Sequence, residues 1–437
     1  MRRGDATYQA YTGVLKEELV PAMGCTEPIA VAYAAALARD LAGGEPGWIR
    51  VEASGSIIKN VKSVVVPHTG GMRGIAAAAA AGVALGRPER ELDLLAEAGE
   101  GAGEAVRAYL ARTRVEVGAL DTEEAFDLLV SARRGGDTGR VRLTGGHTRV
   151  VLRERNGKAV GEASEGGGGG TGAVDDRSWL SVPGIWEYVE ELAVEDVRDV
   201  LLRQVRCNRA IAEEGLRGDW GAGIGKVLMA TGHGDARTKA KAWAAAGSDA
   251  RMGGCEMPVI INSGSGNQGL TVSMPVAAYA EELGAGEEEL VRALALANLV
   301  AIHQKDGIGC LSAFCGATTA AAGAGAGVAY LLTKDYRTVV HTIVNTLAIL
   351  PGMACDGAKA SCAAKIAAAV DAALLGFDMF RAGKQFYGGE GLVTKGVEAT
   401  IRNIARLGHD GMRETNGEII KMMLDGGAGG SQARGEG

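Results

Sequence analysis

Apolar and polar positions follow two different periods along this chain, and the switch between them divides it. From Tyr8 to Leu41 apolar residues recur at helical spacing; Pro21 and Gly24 interrupt them. That predicts helix, short turn, then a second helix carrying the apolar run Ile29–Leu41. Trp48–Val66 reads as extended chain, IRVEASGSII and VKSVVVP, parted at Lys59–Asn60. Gly70–Gly71 opens an Ala-rich helix to Leu85, and Glu89–Ala111 continues as helix. The texture changes from Thr113 to Val160. TRVEVGAL, VRLTGGHTRVVL and KAV are β-branched and alternating, Asn156–Gly157 is a hairpin signal, and a helix is expected over Thr122–Ala132. Gly161–Gly172, with five consecutive glycines, reads as a flexible linker. Beyond it helical spacing returns over Val194–Arg217, Ala236–Arg251, Val276–Leu283, Glu287–Gln304, Leu311–Leu332, Arg337–Ile349 and Ser361–Leu375.

These elements predict an α+β protein: a mostly α-helical, Ala/Gly-rich catalytic domain with a small α/β subdomain. The expected divisions are a mostly helical segment at 1–111, the α/β subdomain at 112–160, the Gly-rich linker at 161–180 and a helical domain at 181–437. The 437 residues are enough for two or three packed domains.

Composition changes this picture in three ways. Glycine, at 68 residues, is roughly double its ~7% average usage without a collagen-like period, which points to close helix packing and to backbone that approaches a ligand. Aromatics are 4%, so the core must be built from Ala, Val, Leu and Ile. The 46 Lys plus Arg against 53 Asp plus Glu leave a net charge of −7, which argues against a nucleic-acid or anionic-membrane surface. The most apolar stretches, Ile75–Leu85 and Ala317–Leu332, are too short or too weakly hydrophobic to span a bilayer and read as buried helices. MRRGDATYQAYTG has no apolar segment after its basic residues, so it does not read as a secretory signal. Seven cysteines, an odd number, do not suggest a disulfide framework, and a reducing cytoplasm is the expected setting.

Four loops can carry chemistry. In Gly24-Cys25-Thr26-Glu27-Pro28 the thiol stands at a helix start, where the dipole stabilises a thiolate. From that segment alone, simple packing of Cys25 is the stronger reading. Asn262-Ser263-Gly264-Ser265-Gly266-Asn267-Gln268-Gly269 has the composition of a backbone nest for a carboxylate or phosphate, but no Walker lysine follows it. The remaining two loops hold Cys310 and Cys315, and Cys355 and Cys362. Five residues on a helix turn through about 140°, so Cys310 and Cys315 would not face one small cluster together. Seven residues separate two positions by about 10.5 Å along a helix, so Cys355 and Cys362 converge only if the chain folds back at Asp356–Gly357. Two thiolates from that loop and one from the other give three ligands with one metal position open. Zinc completed by His303 or His341 is an alternative, although the long, unequal spacings favour an iron–sulfur cluster over a zinc ribbon. Several buried thiols without a metal remain a serious rival on spacing alone. His68, in VPHTGGMRG, and His233 sit in loops, where a lone histidine is more often a surface residue.

At these residues the chain resembles the L-cysteine desulfidase family, related to the α-chain of iron–sulfur L-serine dehydratases. The likeness covers essentially the whole chain and rests on GCTEPIAVA (Gly24–Ala32), GSIIKNVKSVVVPHTGGMRGIAAA (Gly55–Ala78), NSGSGNQG (Asn262–Gly269), KDGIGCLSAFCG (Lys305–Gly316) and GMACDGAKASC (Gly352–Cys362). The resemblance implies a [4Fe–4S] enzyme without pyridoxal phosphate that converts L-cysteine and water to pyruvate, ammonia and hydrogen sulfide. It implies Cys315, Cys355 and Cys362 as cluster ligands and Cys25 as the acid/base residue. Substrate contacts are expected from Ser263, Ser265, Asn267 and Gln268, with His68, Thr69 and Gly70 beside them. The expected partner is a small amino-acid substrate, with no nucleic acid and no membrane; a homodimer is expected from the prevalence of such assemblies. L-Serine dehydratase and a non-catalytic amino-acid sensor holding a metal or cluster are the alternatives.

Overall fold

The computed structural model of the chain describes residues 1–23, 26–95, 98–99, 101–122, 124, 126–161, 177–309 and 312–425. Cys25, Cys310 and the glycine tract from residue 162 lie outside them. The α+β expectation holds: the protein is mostly helical with a small mixed six-stranded sheet.

The helical body is built round Glu287–Ile308 and Gly316–Thr333, both buried along most of their length. They approach closely because small residues line their seam. A Cβ on Gly323 would stand 2.4 Å from the Ala297 carbonyl oxygen, a distance no side chain tolerates. Helices Arg198–Arg217, Gly266–Leu283, Tyr336–Ile349 and Ser361–Arg381 pack around that pair, and Ala236–Met252 packs on the first, second and last of them. Alanine and glycine thus supply by proximity what large side chains would supply by area.

The sheet runs in the order Arg114–Ala119, Trp48–Ala53, Asp127–Arg134, Asp137–Thr144, Val150–Arg155, Lys158–Ala159. Its first pair is parallel, with Trp48 opposite Arg114, and the rest are antiparallel. Helices Thr26–Leu41 and Gly74–Leu85 share its buried core with Ile49, Val51, Leu128, Val130, Val141 and Leu143. Asn156 and Gly157, both at positive φ, make the hairpin turn that their sequence signals.

Three expectations need correction. The stretch 48–66 is a strand only to Ala53; Gly55–Val61 is a helix that buries Ile57, Ile58 and Val61. Alternation stops at Ala53, and those apolar positions have helical spacing. The helix expected over 122–132 is the strand Asp127–Arg134, in which Leu128, Val130 and Ala132 are buried and alternate with Leu129 and Ser131. Leucine-rich sequence suits a helix, but partners on both sides decide for a strand here. The stretch 89–111 is a 3₁₀ turn at Pro88–Asp93 followed by helix Ala102–Arg112. Among the described residues no helix is long and apolar enough to cross a membrane.

Candidate functional site

A two-stranded pairing joins the two bodies. Pro21–Met23 runs antiparallel to Pro258–Ile260, with Ala22 opposite Val259, and the Ile261 amide donates to the Val20 carbonyl at 3.0 Å. The segments leaving these strands, helix Thr26–Leu41 and the loop 262–265, are therefore held side by side. Between them lies a cavity of about 160 Å³, small enough for a small polar molecule.

The loop is tightly determined. Asn262 and Ser265 exchange backbone hydrogen bonds at 3.2 and 3.0 Å, while Ser263 and Gly264 take φ values of 49° and 73°. Positive φ at both central positions makes this a primed turn, which Gly264 adopts freely and Ser263 under strain. Ser265 then caps helix Gly266–Leu283 by accepting from the Gln268 amide. Beneath the loop runs a buried chain of amides. Asn262 Nδ2 donates to Asn298 Oδ1 at 2.9 Å, and Asn298 and Gln204 exchange hydrogen bonds at 2.8 and 3.0 Å. Asn208 fixes the preceding strand, accepting from the Ile260 amide at 2.8 Å. The polar positions of helices Arg198–Arg217 and Glu287–Ile308 gave no sequence signal of this task, because a buried asparagine reads like any other.

The cysteine segments meet at an isolated bridge between Phe314 and Ala354. The Cys315 amide donates to the Met353 carbonyl at 2.9 Å, and the Cys355 amide to Ala313 at 2.6 Å. Cys315 immediately precedes helix Gly316–Thr333, at its N-cap position, and Cys362 is the second residue of helix Ser361–Arg381. Gly357, at φ +93°, makes the fold-back, its Cα so close to Lys59 that a Cβ would stand 2.0 Å from that residue's carbonyl oxygen. All three thiols line the cavity. The neighbouring Cys355 thiol pushes the Cys315 pKa up, and the neighbouring Cys315 thiol pulls the Cys355 pKa down. Lys59 adds to the lowering at Cys355. Burial pushes the Cys362 thiol up.

Cations surround these thiols. Lys59 is 1% exposed, with its pKa lowered by burial against the pull of Cys355 and Cys315; its Nζ donates to Asn416 Oδ1 at 2.8 Å. Lys305, Lys365 and Arg251 also line the cavity. Burial alone would raise Asp356, but Lys359 and Lys365 hydrogen-bond to it and hold its pKa at about 2. Soft thiol donors in a cationic setting suit a polynuclear, negatively charged cluster, since each thiolate brought together adds charge that the lysines offset. Among the described residues no three His, Cys, Asp or Glu side chains converge as they would on a single ion. His303 instead bonds Glu398 at 2.9 Å, and His341 stacks on Phe380 at 4.3 Å.

Ser263, Ser265, Asn267 and Gln268 line the same cavity as the three cysteines. His68, Thr69 and Gly70 do not. His68 Nε2 stands 3.3 Å from Glu256, and the buried Thr69 hydroxyl donates to the Val66 carbonyl at 2.7 Å, closing its own turn. Cys25 and Cys310 fall outside the described residues, although Glu27, two positions after Cys25, lines the cavity. Nothing in the sequence marks Lys59 or Arg251 as part of this site, since each reads as an ordinary solvent-facing cation.

A family profile described as serine dehydratase alpha chain matches residues 107–421. A UPF0597 protein of Desulfitobacterium hafniense is 50% identical over 425 residues, covering 97% of this chain and 99% of its own. Similar proteins of Treponema denticola and Lachnoclostridium phytofermentans, also described as UPF0597, are 43% and 44% identical and cover 95% and 96% of this chain and 98% and 100% of theirs.

Proposed function

The chain belongs to the serine dehydratase alpha-chain family and to the UPF0597 proteins, and from that premise we propose that it is an iron–sulfur lyase of β-substituted amino acids, specifically an L-cysteine desulfidase. The observation that supports this most is the sharing of one cation-lined cavity by Cys315, Cys355, Cys362 and the loop carrying Ser263, Ser265, Asn267 and Gln268. In this reading the three thiolates hold a [4Fe–4S] cluster, which when bound supplies a Lewis-acidic iron toward the leaving group.

The chain's own residues supply the rest. The Ser263–Asn267 loop and the N-terminus of helix Gly266–Leu283 hold the substrate carboxylate, setting the Cα–H bond for removal. Cys25, the residue before Thr26 in the sequence, takes the α-proton as thiolate. The C–H electron pair becomes the C=C bond as the C–S bond breaks, and sulfur departs as hydrosulfide. Lys59 and Lys305 favour the accumulation of negative charge there. The product 2-aminoacrylate tautomerises to the imine, which water hydrolyses to pyruvate and ammonia. L-Cysteine and water are thereby balanced by pyruvate, ammonia and hydrogen sulfide. The family's own description favours a second reading, L-serine dehydratase, with water leaving in place of sulfide.

Anaerobically purified protein decides between them. Sulfide release from L-cysteine should exceed pyruvate release from L-serine in kcat/KM; the reverse order assigns the dehydratase, and turnover of neither removes both. Cys25→Ala should keep the brown colour and lose turnover by about a hundredfold or more, the scale of a missing general base. Loss of colour in that variant would make Cys25 a ligand instead.

A further inference from the structure

Two polar side chains that line the cavity are nine-tenths buried, and each has one atom without a partner. Arg251, at the end of helix Ala236–Met252, is 7% exposed, and its Nε has no acceptor. Its recorded side-chain contact is long, 3.4 Å from Nη1 to Asn267 Oδ1, and no carboxylate among the described residues pairs with it. Gln268 is 6% exposed, and its Oε1 has no donor. Removing a guanidinium from water without a counter-ion is costly, and so is burying a bare amide oxygen. One missing anion and one missing donor, in the same cavity, are complementary to a zwitterion.

The backbone has been shaped to admit the guanidinium. A Cβ on Gly266 would stand 2.5 Å from Arg251 Nε and 3.0 Å from its Cζ. Gly266 is the first residue of an 18-residue helix, with ordinary negative φ, so alanine would suit its backbone. What glycine provides at this point is space for Arg251 and for Val259, whose Cγ2 would stand 2.6 Å from the same Cβ.

We propose that Arg251 and Gln268 form the seat for the ligand's α-amino-acid group: the guanidinium takes the carboxylate, and the Gln268 carbonyl takes the ammonium. The seat rests on the lyase reading for the identity of the ligand class, but it does not depend on which atom leaves. Its recognition stops at the two charged groups, so side chains of different β-substituents are accepted equally by this part of the cavity.

The test is calorimetric titration of the anaerobic, cluster-loaded protein with four probes: L-alanine, which has no leaving group; L-alaninamide, which lacks the carboxylate; propionate, which lacks the ammonium; and inorganic phosphate. Wild type should bind L-alanine more tightly than the other three. Arg251→Gln should weaken L-alanine by about thirtyfold or more, the effect of truncating one partner of a desolvated charge pair, and leave L-alaninamide unchanged. Gln268→Leu should weaken L-alanine and leave propionate unchanged. Gly266→Ala keeps the guanidinium but displaces it, and should lose as much L-alanine affinity as Arg251→Gln, with unaltered iron content. That variant carries the test should Arg251→Gln fail to fold. Affinity of Arg251→Gln or Gln268→Leu for L-alanine within twofold of wild type overturns the seat, as does the same result for Gly266→Ala, or wild type that ignores L-alanine or prefers phosphate. Arg251-dependent binding without turnover of cysteine or serine would leave the seat standing and remove the lyase; turnover with unaltered KM in Arg251→Gln would do the reverse.

Discussion

Asn298 shows how much of this site depends on single buried amides. It receives hydrogen bonds from Asn262 and Gln204 and returns one to Gln204 and one to the Leu294 carbonyl. Truncation to alanine strands the Asn262 and Gln204 amides away from water, and a stranded buried polar group costs more than the bond it lost. Asn298→Ala should therefore lower stability by about 2–3 kcal/mol in urea titrations and raise KM, because Asn262 anchors the turn that presents Ser263 and Ser265. An unchanged KM at reduced stability would confine the network to packing. The cysteines were legible in the sequence because their residue type is scarce and chemically marked. Asn298, Lys59 and Arg251 were not, since a polar residue on a helix normally points to solvent and only burial distinguishes these three.

Between elements, stability depends on how closely backbones approach. Helices Thr26–Leu41 and Gly74–Leu85 cross where a Cβ on Gly82 would stand 2.0 Å from the Ala32 carbonyl oxygen. Gly82→Ala would gain up to about 1 kcal/mol in helix propensity, but the collision forces the helices apart at about 1–3 kcal/mol of overpacking and lost contact. The second effect wins, and the thermal midpoint should fall; a rise would show that the crossing is soft. The Ala/Gly runs announced buried helices correctly in the sequence. What misled was the stretch 127–132, whose leucines and alanine suit a helix, and which became a strand because Trp48–Ala53 and Asp137–Thr144 offered ladders on both sides. Such partners are distant in sequence and leave no local mark.

At the scale of the molecule, ionic contacts tie separated segments together. Arg177 follows the glycine tract and bonds Glu18 of the N-terminal helix at 2.6 Å, with Asp306 3.9 Å away on helix Glu287–Ile308. Burial raises the Asp306 carboxyl to about 6, against the opposing effect of Arg177. The folded value lies above the unfolded one, so this group's contribution to stability is full below about pH 4 and is lost as pH rises through 6. Asp306→Asn should match wild type near pH 4 and exceed it at pH 7–8, by under about 1 kcal/mol because the side chain keeps 27% of its surface in water. Equal stability of the two proteins across pH 4–8 would show that Asp306 ionises at no cost.

The helical, Ala/Gly-rich character, the hairpin at Asn156–Gly157 and the residue types able to carry chemistry are all written locally, because periodicity, turn residues and scarce thiols are local properties. The sequence also marked the fold-back at Gly357 that lets Cys355 and Cys362 line one cavity. The surroundings of those thiols depend on contacts between distant segments. Pairing of Pro21–Met23 with Pro258–Ile260 and of Phe314 with Ala354 crosses long stretches of chain, and burial without partners singles out Arg251 and Gln268. Both depend on which surfaces are excluded from water, and that is settled only when the whole chain has packed.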